Sequence, residues 1–427
     1  RNNTYLRNQM IYQVDVRNYS KKGTFQALVD DFPRIRDLGV QFVYLLPIHP
    51  IGVLARKGNL GSPYSIQDYR AINPSLGTME DFAAMVRTAH AWGLKIMMDI
   101  VFNHTSRDAI YVNEHPSWYF YKDGKLANRI GDWSDIADLN FEVQEVQDYL
   151  IETLVFWAEK GVDGFRCDVA PIIPLSFWMK AREAVAAVNP RMVWLSESVE
   201  PGFIKWLRAQ GYVGQSDAEM YQAFDVLYDY DVFPFLLRYL EGKGTLDEYL
   251  DKVAAQEYIY PADYRKIHFL ENHDQERIFS RFTGDNKLKN LTAWSFFQNG
   301  TGFLYAGQEV KSKHRPSIFD KDTVDLKIKD QSFYDFIKRL TFLKTIQIFF
   351  IATRFDIIKN PNPDVIYAQL AKDNDILYGI FNLTNRTREL VLDIPNGRYY
   401  NLISLEEFDI KNGHVVILGP MFLIRIA

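Results

Sequence analysis

The sequence predicts an α/β fold, a (β/α)8 TIM barrel with a small inserted domain after strand 3 and a C-terminal all-β sandwich domain. The first two-thirds of the 427-residue chain alternates short apolar runs with longer stretches of helical periodicity. This alternation is the pattern of βα units around a parallel sheet. From about Ile351 onward, the chain changes to short strand-like runs separated by Asn, Asp, Gly and Pro, which indicates a separate all-β module.

Eight apolar runs are predicted as barrel strands, each followed by helical material. They are Met10–Val16, Gln41–Pro47, Leu94–Val101, Asp163–Val169, Met192–Ser196, Met220–Asp225, Lys266–Glu271 and Gly302–Ala306. The predicted helices include Thr24–Leu38, Thr78–Trp92, Glu142–Lys160 and Leu175–Val188. An open, doubly wound sheet is the alternative that the alternation itself leaves open.

Two changes of pattern set the predicted domain boundaries. Residues 103–140 have little helical pattern and contain Pro116 and several glycines, so they are predicted as the inserted subdomain B. The catalytic barrel then comprises residues 1–102 and 141–350, and the sandwich comprises residues 351–427. The predicted strands of the sandwich include Val365–Leu370, Ile376–Asn382, Glu389–Ile394 and His414–Leu418.

The composition narrows the class of protein. Hydrophobic residues make up 47% and charged residues 24% of the chain, which is the balance of a globular protein. A net charge of -5 gives no electrostatic reason to expect binding to nucleic acid or to an anionic membrane. The single cysteine, Cys167, excludes an internal disulfide, and no apolar run is long enough to predict a transmembrane helix. We expect a cytoplasmic protein, with secretion after signal removal as the alternative, and the oligomeric state is left open.

Polar side chains stand at the carboxyl ends of four predicted strands, where the active site of a TIM barrel lies. A charge that ends a buried apolar strand is costly unless it is paired or useful. Asp99, Asn103 and His104 follow the third strand, Arg166 and Asp168 the fourth, Glu197 the fifth, and Glu271, Asn272, His273 and Asp274 the seventh.

Glycoside hydrolysis needs a pair of carboxyl groups, one ionised and one protonated. Asp168 and Glu197 follow adjacent strands, which can bring them to the roughly 5–5.5 Å separation of a retaining mechanism. Arg166 lies two residues before Asp168 on the same face of its strand, so we expect it to keep that carboxylate ionised. Glu197 has apolar neighbours in sequence, which predicts a carboxyl that keeps its proton, as a general acid must.

Each of these residues has a simpler explanation when it is taken alone. An aspartate at a strand end is commonly an Asx turn or a helix cap, and His104 and Arg166 are each compatible with a structural role. A non-catalytic protein on this fold is a further alternative. A metal hydrolase has no support, because the histidines form no His-Glu-x-x-His pattern. The joint arrangement favours catalysis.

These segments resemble the conserved blocks of the α-amylase family of glycoside hydrolases, family 13. Asp99–His104, Gly164–Asp168, Val193–Glu197 and Glu271–Asp274 are similar to its four blocks in the right order. Gly61–Tyr69 and Ile72–Thr78 resemble the segment that follows its second strand. The resemblance spans residues 10 to about 310 and carries the family's three-domain layout with it.

The resemblance implies a retaining α-glucan hydrolase that cleaves α-1,4-glucosidic bonds of starch or maltooligosaccharides through a covalent glucosyl-enzyme intermediate. It implies catalytic roles for Asp168 as nucleophile, Glu197 as acid/base and Asp274 as third carboxylate, and substrate contacts for Tyr64, Asp99, His104, Arg166 and His273. No cofactor is required for the chemistry. The alternative is a glucosyltransferase or isomerase of the same family acting on maltooligosaccharides, sucrose or trehalose-type disaccharides.

Two departures from the family pattern bear on binding. Many α-amylases have Lys-His three and four residues after the nucleophile, where this chain has Pro171 and Ile172, so product-side binding is predicted to differ. Asn103 matches a position that ligates a structural calcium ion in many members, which makes such an ion possible. A calcium ion takes about six to eight oxygens, and the candidate oxygens (Asp108, Asp132, Asp135 and Asp138) form no recognisable loop motif.

Overall fold

A computed structural model of the chain describes residues 4–131 and 133–427. Eight parallel strands form a closed barrel in the order β1-β8-β7-β6-β5-β4-β3-β2, which confirms the predicted TIM barrel. The strands are β1 (Met10–Val14), β2 (Phe42–Leu45), β3 (Lys95–Ile100), β4 (Gly164–Cys167), β5 (Val193–Ser196), β6 (Val226–Tyr228), β7 (Lys266–His268) and β8 (Gly300–Tyr305). Nearly all of their residues are buried, as expected for a parallel sheet covered by helices.

The sixth barrel strand was predicted at the wrong place. The predicted segment Met220–Asp225 begins on the last residue of a short helix, Asp217–Met220. Ser216 caps this helix, because its side chain accepts a hydrogen bond from the Glu219 backbone while the Glu219 carboxylate accepts one from the Ser216 backbone. The strand begins only at Val226, after the turn that follows the helix.

The helices largely follow the predicted periodicity. The predicted helix Thr24–Leu38 is two helices, Phe25–Val29 and Phe32–Leu38, and Pro33 lies in the first turn of the second, where proline is tolerated. The remaining α-helices are Val16–Tyr19, Met79–Ala91, Ile110–Glu114, Gln144–Glu159, Leu175–Ala186, Pro201–Ala209, Asp217–Met220, Phe233–Leu240, Leu246–Ile259, Ile278–Arg281, Asp285–Phe297, Gln331–Lys344 and Gln347–Ile351. Short 3-10 helices span Thr4–Asn8, Pro116–Trp118, Ala170–Ile172 and Gln308–Val310.

Short antiparallel pairs fold the segment after β3 back on itself. His104–Ser106 pairs with Ile136–Asp138, and Tyr121–Lys122 pairs with Lys125–Leu126. The first pair places His104 opposite Asp138. The ends of the segment are therefore held beside the carboxyl end of β3, and its boundaries at 103 and 140 stay a prediction.

The C-terminal region is all-β, as predicted. Its strands are β9 (Arg354–Ile357), β10 (Val365–Lys372), β11 (Asp375–Asn382), β12 (Arg388–Val391), β13 (Gly397–Asn401), β14 (Glu407–Ile410), β15 (His414–Ile417) and β16 (Met421–Arg425). They form a six-stranded sheet in the order β9-β10-β11-β16-β13-β14 and a two-stranded sheet of β12 and β15. Buried side chains from both sheets, including Tyr367, Leu390 and Ile417, form one apolar core.

The chain divides into two compact units. One comprises the residues up to Met10, Asp229–His314 and Leu326–Ala427, and the other comprises Ile11–Tyr228 and Arg315–Asp325. Within the first unit, helix Asp285–Phe297 packs on the C-terminal sheet, and the Trp294 ring lies 5.4 Å from the Phe381 ring. Among the described residues, no helix is both long and apolar enough to cross a membrane.

Candidate active site

One buried guanidinium, that of Arg166, lies at the centre of the predicted site. Its Nη1 donates to Asp168 Oδ1 at 2.9 Å and to Asp99 Oδ1 at 3.0 Å, and its Nη2 donates to Glu197 Oε2 at 2.5 Å. Strands β3, β4 and β5 are neighbours in register, with Asp99 opposite Arg166 and Cys167 opposite Ser196. We call Asp99, Arg166, Asp168 and Glu197 the carboxylate cluster.

Three tyrosines line this cluster, and only Tyr64 was predicted from the sequence. The hydroxyls of Tyr44 and Tyr64 both donate to Asp99 Oδ2, at 2.5 and 2.7 Å, and Arg166 Nε donates to the Tyr228 hydroxyl at 3.1 Å. Tyr44 and Tyr228 each provide the only side-chain polar atom in a wholly buried strand, β2 or β6. Because a buried hydroxyl needs a partner, that isolation was the signal that could have identified them.

Backbone strain next to Asp168 fixes a hydrogen-bond donor. Val169 has φ 38° and ψ 39°, in the left-handed region that a β-branched residue rarely adopts. In this conformation its N–H donates to Glu197 Oε1 at 2.9 Å. Each oxygen of the Glu197 carboxylate thus accepts a hydrogen bond, one from Val169 and one from Arg166.

The structure corrects two expectations about protonation. Glu197 does not lie in purely apolar surroundings, because the Arg166 guanidinium is long enough to reach both carboxylates from β4. Burial, followed by the negative charge of Glu197, raises the pKa of the Asp168 carboxyl well above its ordinary value despite Arg166. One guanidinium facing three buried carboxylates leaves an excess of negative charge, which favours the protonated form of Asp168.

The position predicted for calcium is contacted by an arginine side chain. Arg129 donates from Nη2 to Asn103 Oδ1 at 2.5 Å and from Nε to Asp138 Oδ2 at 2.8 Å. Arg129 Nη2 holds the amide oxygen that was predicted as a metal ligand, so a calcium ion on Asn103 would have to displace this guanidinium. The residues present therefore do not fit the ion.

Two of the other candidate calcium ligands contact protein groups. Asp108 accepts the backbone N–H of Val53 at 2.9 Å, and Asp135 lies 3.8 Å from Lys57 Nζ. Asp132 lies outside the described residues. Within residues 4–131 and 133–427, no group of three His, Cys, Asp or Glu side chains is arranged to hold a metal ion.

His104 is buried and follows β3, the strand that carries Asp99. Its Nδ1 lies 3.1 Å from Asn103 Nδ2, and its ring centre lies 5.7 Å from that of Trp133. Burial lowers the pKa of His104, so its imidazole is neutral at pH 7. A neutral ring can both donate and accept a hydrogen bond, which suits the predicted contact with a sugar hydroxyl.

The residues predicted after β7 belong to the other compact unit. His273 Nε2 lies 3.1 Å from Asp274 Oδ2, and the Asp274 side chain is half exposed. Glu271 is buried against Arg277 Nη1 at 3.2 Å, and burial raises the pKa of Glu271 to about 7. The roles of His273 and Asp274 as substrate contact and third carboxylate stay predictions.

Pro171 and Ile172 lie in the 3-10 helix Ala170–Ile172, which is fully buried. The Pro171 carbonyl accepts hydrogen bonds from the backbone and side-chain N–H groups of Gln215, at 2.9 and 3.1 Å. This turn is therefore packed in place and presents no charged side chain immediately after the nucleophile position.

Comparison with known proteins agrees with this architecture. The α-amylase catalytic domain model matches residues 11–339, and the bacterial α-amylase C-terminal domain model matches residues 357–420. An α-amylase crystal structure from Lactobacillus plantarum is 41% identical with a TM-score of 0.93, over 99% of this chain and 100% of that one. A noncanonic maltogenic α-amylase from Thermotoga neapolitana is 31% identical with a TM-score of 0.89, with the same coverage.

A curated relative of a different named activity is also similar. An α-1,4-glucan:maltose-1-phosphate maltosyltransferase from Cereibacter sphaeroides is 30% identical over 313 residues, which is 68% of this chain. The chain spans only 44% of that protein's length.

Proposed function

Because the chain belongs to the α-amylase family of glycoside hydrolases and transferases, we propose that it is a retaining hydrolase. It cleaves the α-1,4-glucosidic bonds of starch or maltooligosaccharides. The observation that carries this proposal is the shared guanidinium of Arg166, which holds Asp168 and Glu197 on adjacent strands around one point. A retaining mechanism needs two carboxyl groups at such close range.

In the first step, a carboxylate oxygen of Asp168 attacks the anomeric carbon. The bond to the leaving oxygen breaks, and Glu197 transfers its proton to that oxygen, so a glucosyl ester of Asp168 forms. In the second step, Glu197 takes a proton from water, whose oxygen attacks the same carbon and releases Asp168. This mechanism requires an ionised Asp168 and a protonated Glu197 when the substrate is bound. Asp274 is proposed to bind ring hydroxyls of the distorted sugar.

Arg166 has a positioning role in this scheme. It carries a permanent charge, so it stabilises the Asp168 carboxylate both before the attack and when the ester is cleaved. The Val169 N–H holds the second oxygen of Glu197, which fixes the direction of the acid without taking its proton.

We propose that the segment after β3 is held by Arg129 instead of a calcium ion. The guanidinium joins Asn103, next to the end of β3, to Asp138, at the far end of the segment. It thereby supplies positive charge and directed hydrogen bonds to the oxygens that a calcium ion would bind.

Transfer to an acceptor sugar is the second candidate, supported by the similarity to the maltosyltransferase. Purified protein incubated with maltoheptaose separates the two. Hydrolysis predicts shorter products released in the α-anomeric form. Transfer predicts products longer than the substrate, or maltosyl transfer from maltose 1-phosphate. Products released in the β-anomeric form would contradict the retaining mechanism, and absence of turnover on every α-glucan would contradict the hydrolase assignment.

A further inference from the structure

A cavity of about 670 Å³ lies among loops of the same compact unit as the carboxylate cluster. The loops after β1 and β2 contribute to it, so it opens on the face of the barrel that carries the active site. Its lining includes five cationic side chains, Arg17, Lys21, Lys22, Arg56 and Lys321. We call this feature the basic cavity.

No Asp or Glu lines the basic cavity in the part of the chain that the structure describes. Asp15 acts electrostatically on Arg17 and Lys321, and Asp320 acts on Arg17, but neither carboxylate belongs to the lining. Burial nevertheless lowers the pKa of Arg17 below its ordinary value. Positive charge gathered in this way, in a chain whose net charge is -5, favours an anionic ligand.

Three of these cations donate hydrogen bonds to backbone carbonyls, which carry no formal charge. Arg17 donates to Gly61 O at 2.9 Å and to Ile318 O at 2.7 Å, and Arg56 donates to Gly52 O at 2.8 Å. Lys321 Nζ donates to the carbonyls of Arg17 and Ser20. The Arg17 side chain is only 8% exposed, and its Nε has no hydrogen-bond partner. Arg17 therefore keeps one N–H donor at a fixed position that is available to an anion.

The cavity is connected to the carboxylate cluster through a short segment. Leu60 and Gln67 line the cavity, and Tyr64 between them donates to Asp99. Arg17 holds the beginning of this segment through Gly61 O. A ligand in the cavity therefore lies against the loop that carries a predicted substrate-binding tyrosine.

We propose that the basic cavity binds the phosphate group of a phosphorylated sugar. The three lysines and the two buried or half-buried arginines of the lining match the charge and the hydrogen-bonding capacity of a phosphomonoester. The volume is in the range of sites that enclose a small organic ligand, which leaves room for a glucosyl unit as well as its phosphate. Binding itself does not rest on the proposed hydrolysis.

The test is calorimetric titration of the full chain with glucose 6-phosphate, inorganic phosphate and glucose, at low and at high ionic strength. We expect glucose 6-phosphate to bind more tightly than either of the other two, and more weakly as salt rises. The double variant Lys21→Gln/Lys22→Gln should weaken its binding about tenfold, because two charge-assisted contacts are lost. The double variant Lys180→Gln/Lys205→Gln changes the net charge equally on exposed helical positions and should leave binding within about twofold.

Several outcomes would overturn the proposal. If inorganic phosphate binds as tightly as glucose 6-phosphate, the cavity recognises the free ion and not the sugar. Glucose that binds as tightly would show that the anion is not recognised. Equal losses of affinity in the two double variants, or no binding of any probe, would show that the basic cavity is not a ligand-binding site. Because the titration needs no turnover, failure of the hydrolase assignment would leave this result unaffected.

Discussion

The carboxylate cluster and the basic cavity belong to one compact unit, yet they hold their cations in opposite ways. In the cluster, the one guanidinium of Arg166 is shared by three buried carboxylates. In the cavity, Arg17, Arg56 and Lys321 are held by backbone carbonyls. The first arrangement leaves an excess of negative charge and retains a proton, whereas the second leaves positive charge free for a ligand.

This difference teaches that the partner of a charge, and not the charge itself, sets the chemistry of a site. Both regions contain a buried arginine, but only the cavity lacks carboxylates in its lining. Four substitutions test this contrast.

Removal of the nucleophile should have the largest effect. Asp168→Asn removes the attacking oxygen and should lower kcat/KM on maltoheptaose by about 10⁴-fold or more. It also removes one negative charge from an overcrowded cluster. Since the folded pKa of Asp168 is raised, the folded wild type binds more protons than the unfolded chain and loses stability as pH rises through that pKa. The variant should therefore unfold at a higher temperature than the wild type, with a margin that widens as pH rises.

The control for Asp168→Asn is Glu183→Gln, a change of the same charge at an exposed position on helix Leu175–Ala186. It should alter neither activity nor the unfolding temperature. Near-normal turnover by Asp168→Asn would eliminate the proposed mechanism.

Loss of the shared guanidinium should be the next largest effect. Arg166→Met leaves buried carboxylates without a counter-charge, which costs about 3–5 kcal/mol in the free energy of unfolding. The cost should shrink as pH falls, because the unpaired carboxyls can then take up protons. Denaturant unfolding at two pH values measures it, with the exposed Arg191→Met as control. A loss that is equal at both pH values would show that packing and not charge is responsible.

Arg129→Met should destabilise the chain by about 1–3 kcal/mol, since Asn103 Oδ1 and Asp138 Oδ2 each lose a hydrogen bond from the guanidinium. Chelation with EGTA should leave the thermal midpoint of the wild type unchanged, and added calcium should not restore the variant. A fall in the wild-type midpoint on chelation would show instead that a calcium ion holds this segment.

The smallest expected effect is on the cavity wall. Gly23 has φ +64°, and a Cβ there would lie 2.7 Å from Arg17 O and 3.0 Å from Lys321 Nζ. Gly23→Ala should cost about 1 kcal/mol or somewhat more and weaken glucose 6-phosphate binding. Gly93→Ala is the matched control, because Gly93 has φ +74° with no atom within 4 Å of such a Cβ. Equal effects of the two substitutions on binding would show that the position of Lys321 does not contribute to ligand binding.

The sequence predicted the barrel because its buried strands read as apolar runs, and the pattern failed where those runs are short. The sixth strand has only three residues, Val226–Tyr228, whereas the segment predicted as this strand, Met220–Asp225, begins on the last residue of a capped helix. Four C-terminal strands, β9, β13, β14 and β16, were not among those predicted. Among them, β9 and β14 alternate buried and exposed residues over only four positions each.

The grouping of Arg166, Asp168 and Glu197 was predictable from the sequence, but the contacts of long side chains were not. Strand alternation puts Arg166 and Asp168 on one face, as predicted, and says nothing about how far a guanidinium reaches toward the next strand. The reach of Arg166 to Glu197 and of Arg129 to Asn103 therefore came only from the structure. The basic cavity was hidden for a related reason, because its cations come from segments about 300 positions apart in the chain.

The division of the chain into units has a consequence for synthesis on the ribosome. Strands β7 and β8 belong to the same compact unit as Leu326–Ala427. Their neighbouring helix presents Trp294 and Phe297 to Phe381 and Phe422 of the C-terminal sheet. During translation these aromatic rings emerge before the strands that cover them, so the nascent chain carries an exposed apolar surface until the last strand, β16, is released.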